Sequence, residues 1–439
     1  MRFPTLSVTF HFTMFMSLAL TVFGGGIQAA AQREKTIYVL HGAPDGDFPQ
    51  APVIADKAGN LYGNAYIGGI FGFGMTFELS PPAVSGGAWT ETDLHDFTGG
   101  NDGGGPIGPL ALDAAGNLYG VANFGATGNV GVIFELSPPA TQGGAWTETV
   151  VAPADVSASG VTIDSKGNLY WVNGFGGVSL SQCTGLYAGC GSVYEAIPPA
   201  TSGGTWTSVD LYDFGTNGGA TDARQPNSGV TLSRSGALYG QAAGGGANGF
   251  GGVYKLTPPA TSGGAWTETV IYNFKGGTTD GSQSVGTIFV GNNGVLYGAT
   301  EVGGANGYGT VYQITPPSSG SGWKESVIYN FTGKTDGGLP LAGVVADASG
   351  NLYGTTYLFG GTCRLSIAGC GTVYKVSPPT VSGGSWTETT LHVFTATNID
   401  GANPVALLLL FNGTLYGTTG KGGTIPGLGY GTVFELGTK

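Results

Sequence analysis

The sequence predicts an all-β protein, a seven-bladed β-propeller of four-stranded antiparallel blades, and three observations predict it. A Leu-Tyr pair recurs seven times at intervals of about 57 residues. Each pair is followed by an apolar segment around one aromatic residue, and six of the seven then by Pro-Pro and a Gly-Gly-x-Trp variant. The last copy stops early, and the piece it lacks stands at the other end of the chain. Self-similarity at this period marks a repeat architecture in which each unit buries its apolar face only against its neighbours.

The Leu-Tyr anchors are Leu61-Tyr62, Leu118-Tyr119, Leu169-Tyr170, Leu238-Tyr239, Leu296-Tyr297, Leu352-Tyr353 and Leu415-Tyr416. The aromatic positions that follow are Phe77, Phe134, Tyr194, Tyr254, Tyr312, Tyr374 and Phe434. Alternation and turn residues divide one copy into four strands. Strand A is the run Gly343 to Asp347, and the turn Ala348-Ser349-Gly350-Asn351 leads to strand B, Leu352 to Thr356. A glycine-rich loop reaches strand C, Gly371 to Val376, and the Pro-Pro and Gly-Gly stretch turns the chain into strand D, Trp386 to Phe394. One such meander per copy is the pattern of a propeller blade.

The seventh copy ends after strand C, at Phe434-Glu435-Leu436. Thr36 to His41 reads as the missing strand D, with Leu40-His41 matched to Leu94-His95. The N-terminal strand therefore completes the last blade and leaves no open edge between the chain ends, with residues 36–41 beside 431–436. A linear solenoid would have no use for this complementarity.

Composition agrees with short strands joined by tight turns. Glycine supplies 85 residues and charged residues only 10%, but aromatics at 11% are too many for a disordered linker. Residues 1–31 read as a signal peptide, with Arg2, an apolar stretch from about Leu6 to Phe23 and Ala29-Ala30-Ala31 before the cut. That leaves residues 32–439 as a secreted, extracellular propeller without membrane insertion and expected to be a monomer. The net charge of −12 becomes one unit more negative once Arg2 is removed, which argues against nucleic acid as a partner. Cys183 with Cys190 and Cys363 with Cys370 share one spacing and one place before strand C, and in an exported chain they read as two local disulfides.

The motifs Gly-Asn-Leu-Tyr-Gly at 59–63, 116–120 and 350–354, the Gly-Thr-Val-Tyr/Phe strand and the Gly-Gly-Ala-Trp-Thr-Glu-Thr segment resemble the GloVer (Gloeo_Verruco) tandem repeat family of exported bacterial proteins. The likeness covers nearly the whole mature chain. It implies a repeat fold and export, and it implies no particular activity.

Candidate chemistry is sparse. The chain holds no Gly-x-Ser-x-Gly, His-Glu-x-x-His, Cys-x-x-Cys or phosphate-binding Gly-x-x-x-x-Gly-Lys motif. His41, His95 and His392 read as one repeat position, filled elsewhere by Tyr212, Tyr272 and Tyr329, so no histidine is taken as catalytic. An aspartate recurs in every loop from strand D to the next strand A: Asp45, Asp102, Asp155, Asp222, Asp280, Asp336 and Asp400. Such a residue either caps its own turn or helps bind a cation or ligand. In an antiparallel blade the D–A and B–C connections share one face, so the aspartates and the cysteine loops lie together there. Trp171 stands where the other copies have the Gly of Leu-Tyr-Gly, either filling a local gap or offering an aromatic platform.

The reading is a secreted, non-catalytic binding or structural propeller for an extracellular glycan or protein, with no obligatory cofactor. The alternative is an extracellular carbohydrate-active hydrolase or lyase using carboxylates of that face, with Ca²⁺ as its cation. Chemistry needs unequal acids, and Asp47 and Glu301 are the evident ones outside the repeat.

Overall fold

The computed structural model describes residues 34–438 apart from 127, 142, 156, 178–182, 184–188, 202, 217–221, 262, 319–321, 398 and 424–428. The expected signal peptide lies outside the described residues. Seven four-stranded antiparallel sheets follow one another, each in the order A-B-C-D. Blade 6 is typical, with Val345–Ala346, Leu352–Thr356, Thr372–Ser377 and Thr387–Val393 as its strands. Strand A is only two or three residues long in blades 1, 4, 6 and 7, shorter than the sequence pattern suggests, but runs six to ten residues in blades 2, 3 and 5. In the seventh sheet Lys35–Val39 pairs with Thr432–Gly437, Tyr38 opposite Val433 and Val39 opposite Thr432, so the first strand of the described chain completes the last blade.

The repeat motifs are explained by local structure. In the A–B turn Asp347 accepts hydrogen bonds from Ser349 N (2.9 Å), Asn351 N (3.0 Å), Asn351 Nδ2 (2.7 Å) and the Tyr353 hydroxyl (2.9 Å). Asp56, Asp113 and Asp164 make the same set, so Asp-x-x-Gly-Asn-Leu-Tyr is a self-capped turn on the face opposite the D–A loops. The leucine of each anchor is buried in the core. The glycine after Tyr353 has to be glycine, because a Cβ on Gly354 would run into the Tyr374 ring lying over it.

Among the described residues the buried apolar side chains form seven clusters, each at a seam between neighbouring blades. The phenylalanine after strand D packs edge-on against the next blade's strand C aromatic, as in Phe274–Tyr312 (5.1 Å) and Phe394–Phe434 (5.3 Å). At the opposite end the repeat tryptophan packs on the preceding blade's anchor tyrosine, as in Trp206–Tyr119 (5.9 Å) and Trp386–Tyr297 (6.2 Å). Trp89 reaches Tyr416 of blade 7 (6.1 Å), and Ile37, Leu40 and Val433 share a cluster with Val53, Leu61 and Phe77, so the seam between the chain ends is packed like the rest.

Candidate functional site

The D–A and B–C loops meet on one face. Short ladders join them: Gly46–Asp47 with Ile67–Gly68, Ala223–Arg224 with Gly244–Gly245, and Gly401–Ala402 with Lys421–Gly422. A second tie crosses each seam. Three residues after the loop aspartate, Phe48, Gly105, Gln225, Gln283, Leu339 and Asn403 adopt φ between 55° and 61°. Their amides donate to the B–C loops of the preceding blades, at Tyr430, Phe73, Cys190, Phe250, Tyr308 and Cys370, over 2.7–3.2 Å. A left-handed conformation at a side-chain-bearing residue costs energy, and the hydrogen bond across the seam offsets it.

The loop aspartates spend their oxygens inside this framework. Asp336 accepts from the Tyr329 hydroxyl (2.8 Å), Thr332 N (2.8 Å), the Thr332 hydroxyl and Lys334 N (3.3 Å). Asp280 accepts from Tyr272 (2.8 Å), Lys275 N (2.8 Å) and Gly281 N (2.7 Å). Asp45 is held by Tyr38 (3.0 Å), His41 N (3.0 Å) and Gly46 N (2.6 Å). Asp102 is held by Thr98 N (2.8 Å) and its hydroxyl (2.5 Å), Asp400 by Thr395 N (2.7 Å) and its hydroxyl (2.5 Å), and Asp222 by Gly215 N (2.5 Å). Asp155 differs: its carboxylate takes no hydrogen bond from any described residue, and only its carbonyl is engaged, by Ala158 N (2.9 Å).

These contacts explain why His and Tyr interchange on strand D: both can present a donor to the seam's carboxylates, as His392 Nε2 does to Asp400 Oδ1 (3.2 Å), Tyr272 to Asp280 (2.8 Å) and Tyr212 to Glu268 (3.1 Å). The N-terminal copy requires a correction. Tyr38, not His41, occupies the shared position, because the residue opposite Val433 corresponds to His95 opposite Thr76. A bulge at Ile37 shifts the register there, and His41 lies three residues beyond, where its ring meets Asp45 at 3.1 Å.

A further residue stands beside six of the seven aspartates, a glutamate that opens the next blade's strand D, in five of them two residues after the repeat tryptophan. Burial pushes the Glu91, Glu148 and Glu325 carboxyls up to about 7, with Asp45, Asp102 and Asp280 respectively adding repulsion. Glu268 rises to about 9 through burial and then its contact with Asp222. Glu388 is raised by burial and Asp336, and Glu34 rises to about 7 through burial, opposed by His392 and reinforced by Asp400. Six seams thus carry a Tyr or His, an Asp and a Glu in one place. The seam between blades 2 and 3 has Ala152, Asp155 and Ser208 instead.

Trp171 is 1% exposed, stacked on Tyr194 (5.4 Å, 16°), and presents no face to solvent. The rings that lie over the glycine elsewhere are fully buried, whereas Tyr194 is displaced to partial exposure. Cys183–Cys190 and Cys363–Cys370 are disulfides with Cα separations of 5.2 and 5.4 Å. Cys190 and Cys370 hold the B–C position that Phe73, Phe250, Tyr308 and Tyr430 fill in other blades. Asp47 lies in a short ladder and Glu301 near the end of a strand B, each raised by burial.

Two features escaped the sequence reading. Phe73, Phe250 and Tyr430 are 40–44% exposed, each seated over a glycine of the next D–A loop (Gly99, Gly276 and Gly42). With exposed Ile70 and Phe71 they put apolar surface on the aspartate face. The repeated aromatic before Gly was the available signal. The second feature is a groove of about 710 Å³ at the outer edge of blades 1 and 2, lined by Glu78, Asp93, His95, Asp96 and Trp146. Asp93 is raised to about 7 by burial, with the neighbouring Asp96 adding to the shift. Asp210 and Asp213 form a like pair in blade 3, Asp210 rising to about 6. Other copies place Val150, Val270, Val327 and Thr390 at the first position of the pair, and that departure from the repeat was the signal.

No curated relative matches the chain. Solved structures similar to it include a luciferin-regenerating enzyme (12% identity, 91% of this chain and 95% of that one, TM-score 0.41). A putative 6-phosphogluconolactonase from Bacteroides uniformis also matches (11% identity, 80% and 86%, TM-score 0.47). So does a carbohydrate-active enzyme of family AA12 from Trichoderma reesei (12% identity, 94% and 99%, TM-score 0.41). The Gloeobacter/Verrucomicrobia repeat model matches residues 23–182, 157–362 and 225–439, and the chain belongs to that family.

Proposed function

We propose that this chain is an exported, non-catalytic binding propeller whose face of D–A and B–C loops takes up an extracellular protein or glycan. The carrying observation is the half-exposed aromatic repeated on that face at Phe73, Phe250 and Tyr430, beside aspartates whose oxygens are engaged by their own loops. A surface that spends its carboxylates on its own turns and presents rings to solvent is suited to contact rather than to proton transfer. Two disulfides and the apolar N-terminal stretch support export. The test is a protein and glycan array probed with the purified chain and with the F73A/F250A/Y430A variant. A ligand whose binding falls at least about tenfold in the variant, the loss of some 1.4 kcal/mol, supports the reading. Equal binding by both proteins moves the site elsewhere.

A second reading attaches to the groove at blades 1 and 2. Asp93, raised to about 7 by burial, lies with Asp96 beside Trp146, and a pair of neighbouring carboxyls is what a carbohydrate-active hydrolase or lyase would use. Polysaccharide turnover by the wild type that is abolished in D93N and D96N would favour it. The absence of turnover on a broad polysaccharide panel would leave the binding reading.

A further inference from the structure

We propose that Glu34, His392 and Asp400 form a Zn²⁺ site that locks the N-terminal strand into the last blade. Their donor atoms all lie within 4.8 Å of one another, and among the described residues no other set of His, Cys, Asp and Glu meets so closely. His392 Nε2 stands 3.2 Å from Asp400 Oδ1 and 3.9 Å from Glu34 Oε2. Donors bound to Zn²⁺ at about 2.0–2.2 Å in a tetrahedral array stand about 3.3–3.6 Å apart, so the cluster needs only side-chain adjustment to receive the ion.

Each carboxylate is already oriented for this. Asp400 Oδ2 is held by Thr395 N and the Thr395 hydroxyl, which leaves Oδ1 toward the imidazole. Glu34 Oε1 accepts the Thr36 hydroxyl at 3.3 Å, while Oε2 accepts no hydrogen bond from any described residue and faces His392. The Glu34 side chain is only 8% exposed. Anchoring of one oxygen by a neighbour while the other is free to ligate is how outer contacts prepare a metal site.

The donor set selects the metal. Ca²⁺ asks for six to eight oxygens, whereas one imidazole with two carboxylates suits Zn²⁺. The other seams lack the set. Tyr38, Tyr272 and Tyr329 replace the histidine at three of them, their phenols pushed far above neutrality by burial and by the adjacent aspartate. At the blade 1–2 seam His95 Nε2 is 3.5 Å from Asp102 Oδ2, but Glu148 does not join them. The site also lies where a clamp has structural effect, since Glu34 precedes the strand that closes the ring while His392 and Asp400 end blade 6 and enter blade 7.

The experiment titrates Zn²⁺ into the purified chain from residue 32 by calorimetry and follows thermal unfolding with Zn²⁺ and with EDTA. The informative variant is H392Y, because tyrosine at this position keeps a hydrogen bond to the loop aspartate at other seams and so preserves the fold. The expected result is one Zn²⁺ per wild-type chain at micromolar concentration, with a higher unfolding temperature than in EDTA. H392Y, and independently E34Q, should lose both effects, while H95Y retains them. Zn²⁺ uptake and stabilisation that are unchanged in H392Y and E34Q, or no Zn²⁺ uptake by the wild type, would overturn the site.

Discussion

Replacing Asp336 by Ala removes acceptors for four donors at once: the Tyr329 hydroxyl, Thr332 N, the Thr332 hydroxyl and Lys334 N. The Asp336 residue is 6% exposed, so water reaches the stranded amides poorly. A hydrogen bond to a charged group contributes about 1.5–3 kcal/mol, and the two hydroxyls can turn elsewhere, which leaves about 3 kcal/mol of net loss. Relief of the repulsion felt by Glu388 offsets a fraction of this. D336N should cost about 1 kcal/mol, since the amide keeps one acceptor. The control is D155A, where no described donor reaches the carboxylate, and a change within about 0.5 kcal/mol is expected. Urea unfolding of the three variants measures the series. A silent D336A, or a D155A as costly as D336A, would refute the capping account and return these carboxylates to ligand binding.

Three further outcomes follow from the seams. Removal of residues 34–40 exposes the edge of strand C at 432–437, and size-exclusion chromatography should show association or aggregation; a stable monomer would refute ring closure by this strand. Glu91, Glu148 and Glu325 rise from 4.5 to about 7 and Glu268 to about 9, so the folded ring binds protons that the unfolded chain has released. Their contribution is fully present below pH 4.5 and is lost as pH rises through 7, with Glu268 extending the loss toward 9. Urea midpoints should therefore fall from pH 4.5 to 9, and E268Q should flatten the upper part of that curve. Trp171→Gly restores the motif of the other blades and lets Tyr194 fold over the glycine, so it should cost about 1–2 kcal/mol by urea unfolding instead of the 3–5 typical of a lost buried indole.

The blade pattern was legible because strand, turn and apolar period repeat together, and strand B of blade 6 matches the sequence reading residue for residue. The N-terminal strand and its partner were found, but its match to the repeat was three residues off, since Leu40-His41 imitates Leu94-His95 and the true match, Ile37-Tyr38, depends on a bulge that only pairing with strand C reveals. The aspartates were visible as a repeat. Their partners were not, because the glutamate beside six of them comes from the next strand D, 46 residues on for Asp45 and Glu91, and no local periodicity joins the two. Trp171 was conspicuous as an exception, but whether an indole replacing glycine faces solvent or core depends on where Tyr194 goes.

The break at blade 3 is the place where the ring is least constrained by its own repeat. Elsewhere a tyrosine or histidine, an aspartate and a buried glutamate fill the seam, and a left-handed residue ties the loop to the blade before it. Between blades 2 and 3 the shortened loop brings Ala158 directly back to Asp155, Ser208 replaces the glutamate, and none of the six left-handed ties occurs. Beside it a pocket of about 190 Å³ opens between Ile107, Ser157, Phe175 and Asn227. Seven equal units would build a ring without a preferred side, so a ligand that binds once needs an unequal unit. Blade 3 supplies one, with an aspartate that no described donor engages, and a D155N variant that leaves stability intact isolates what that carboxylate contributes to binding.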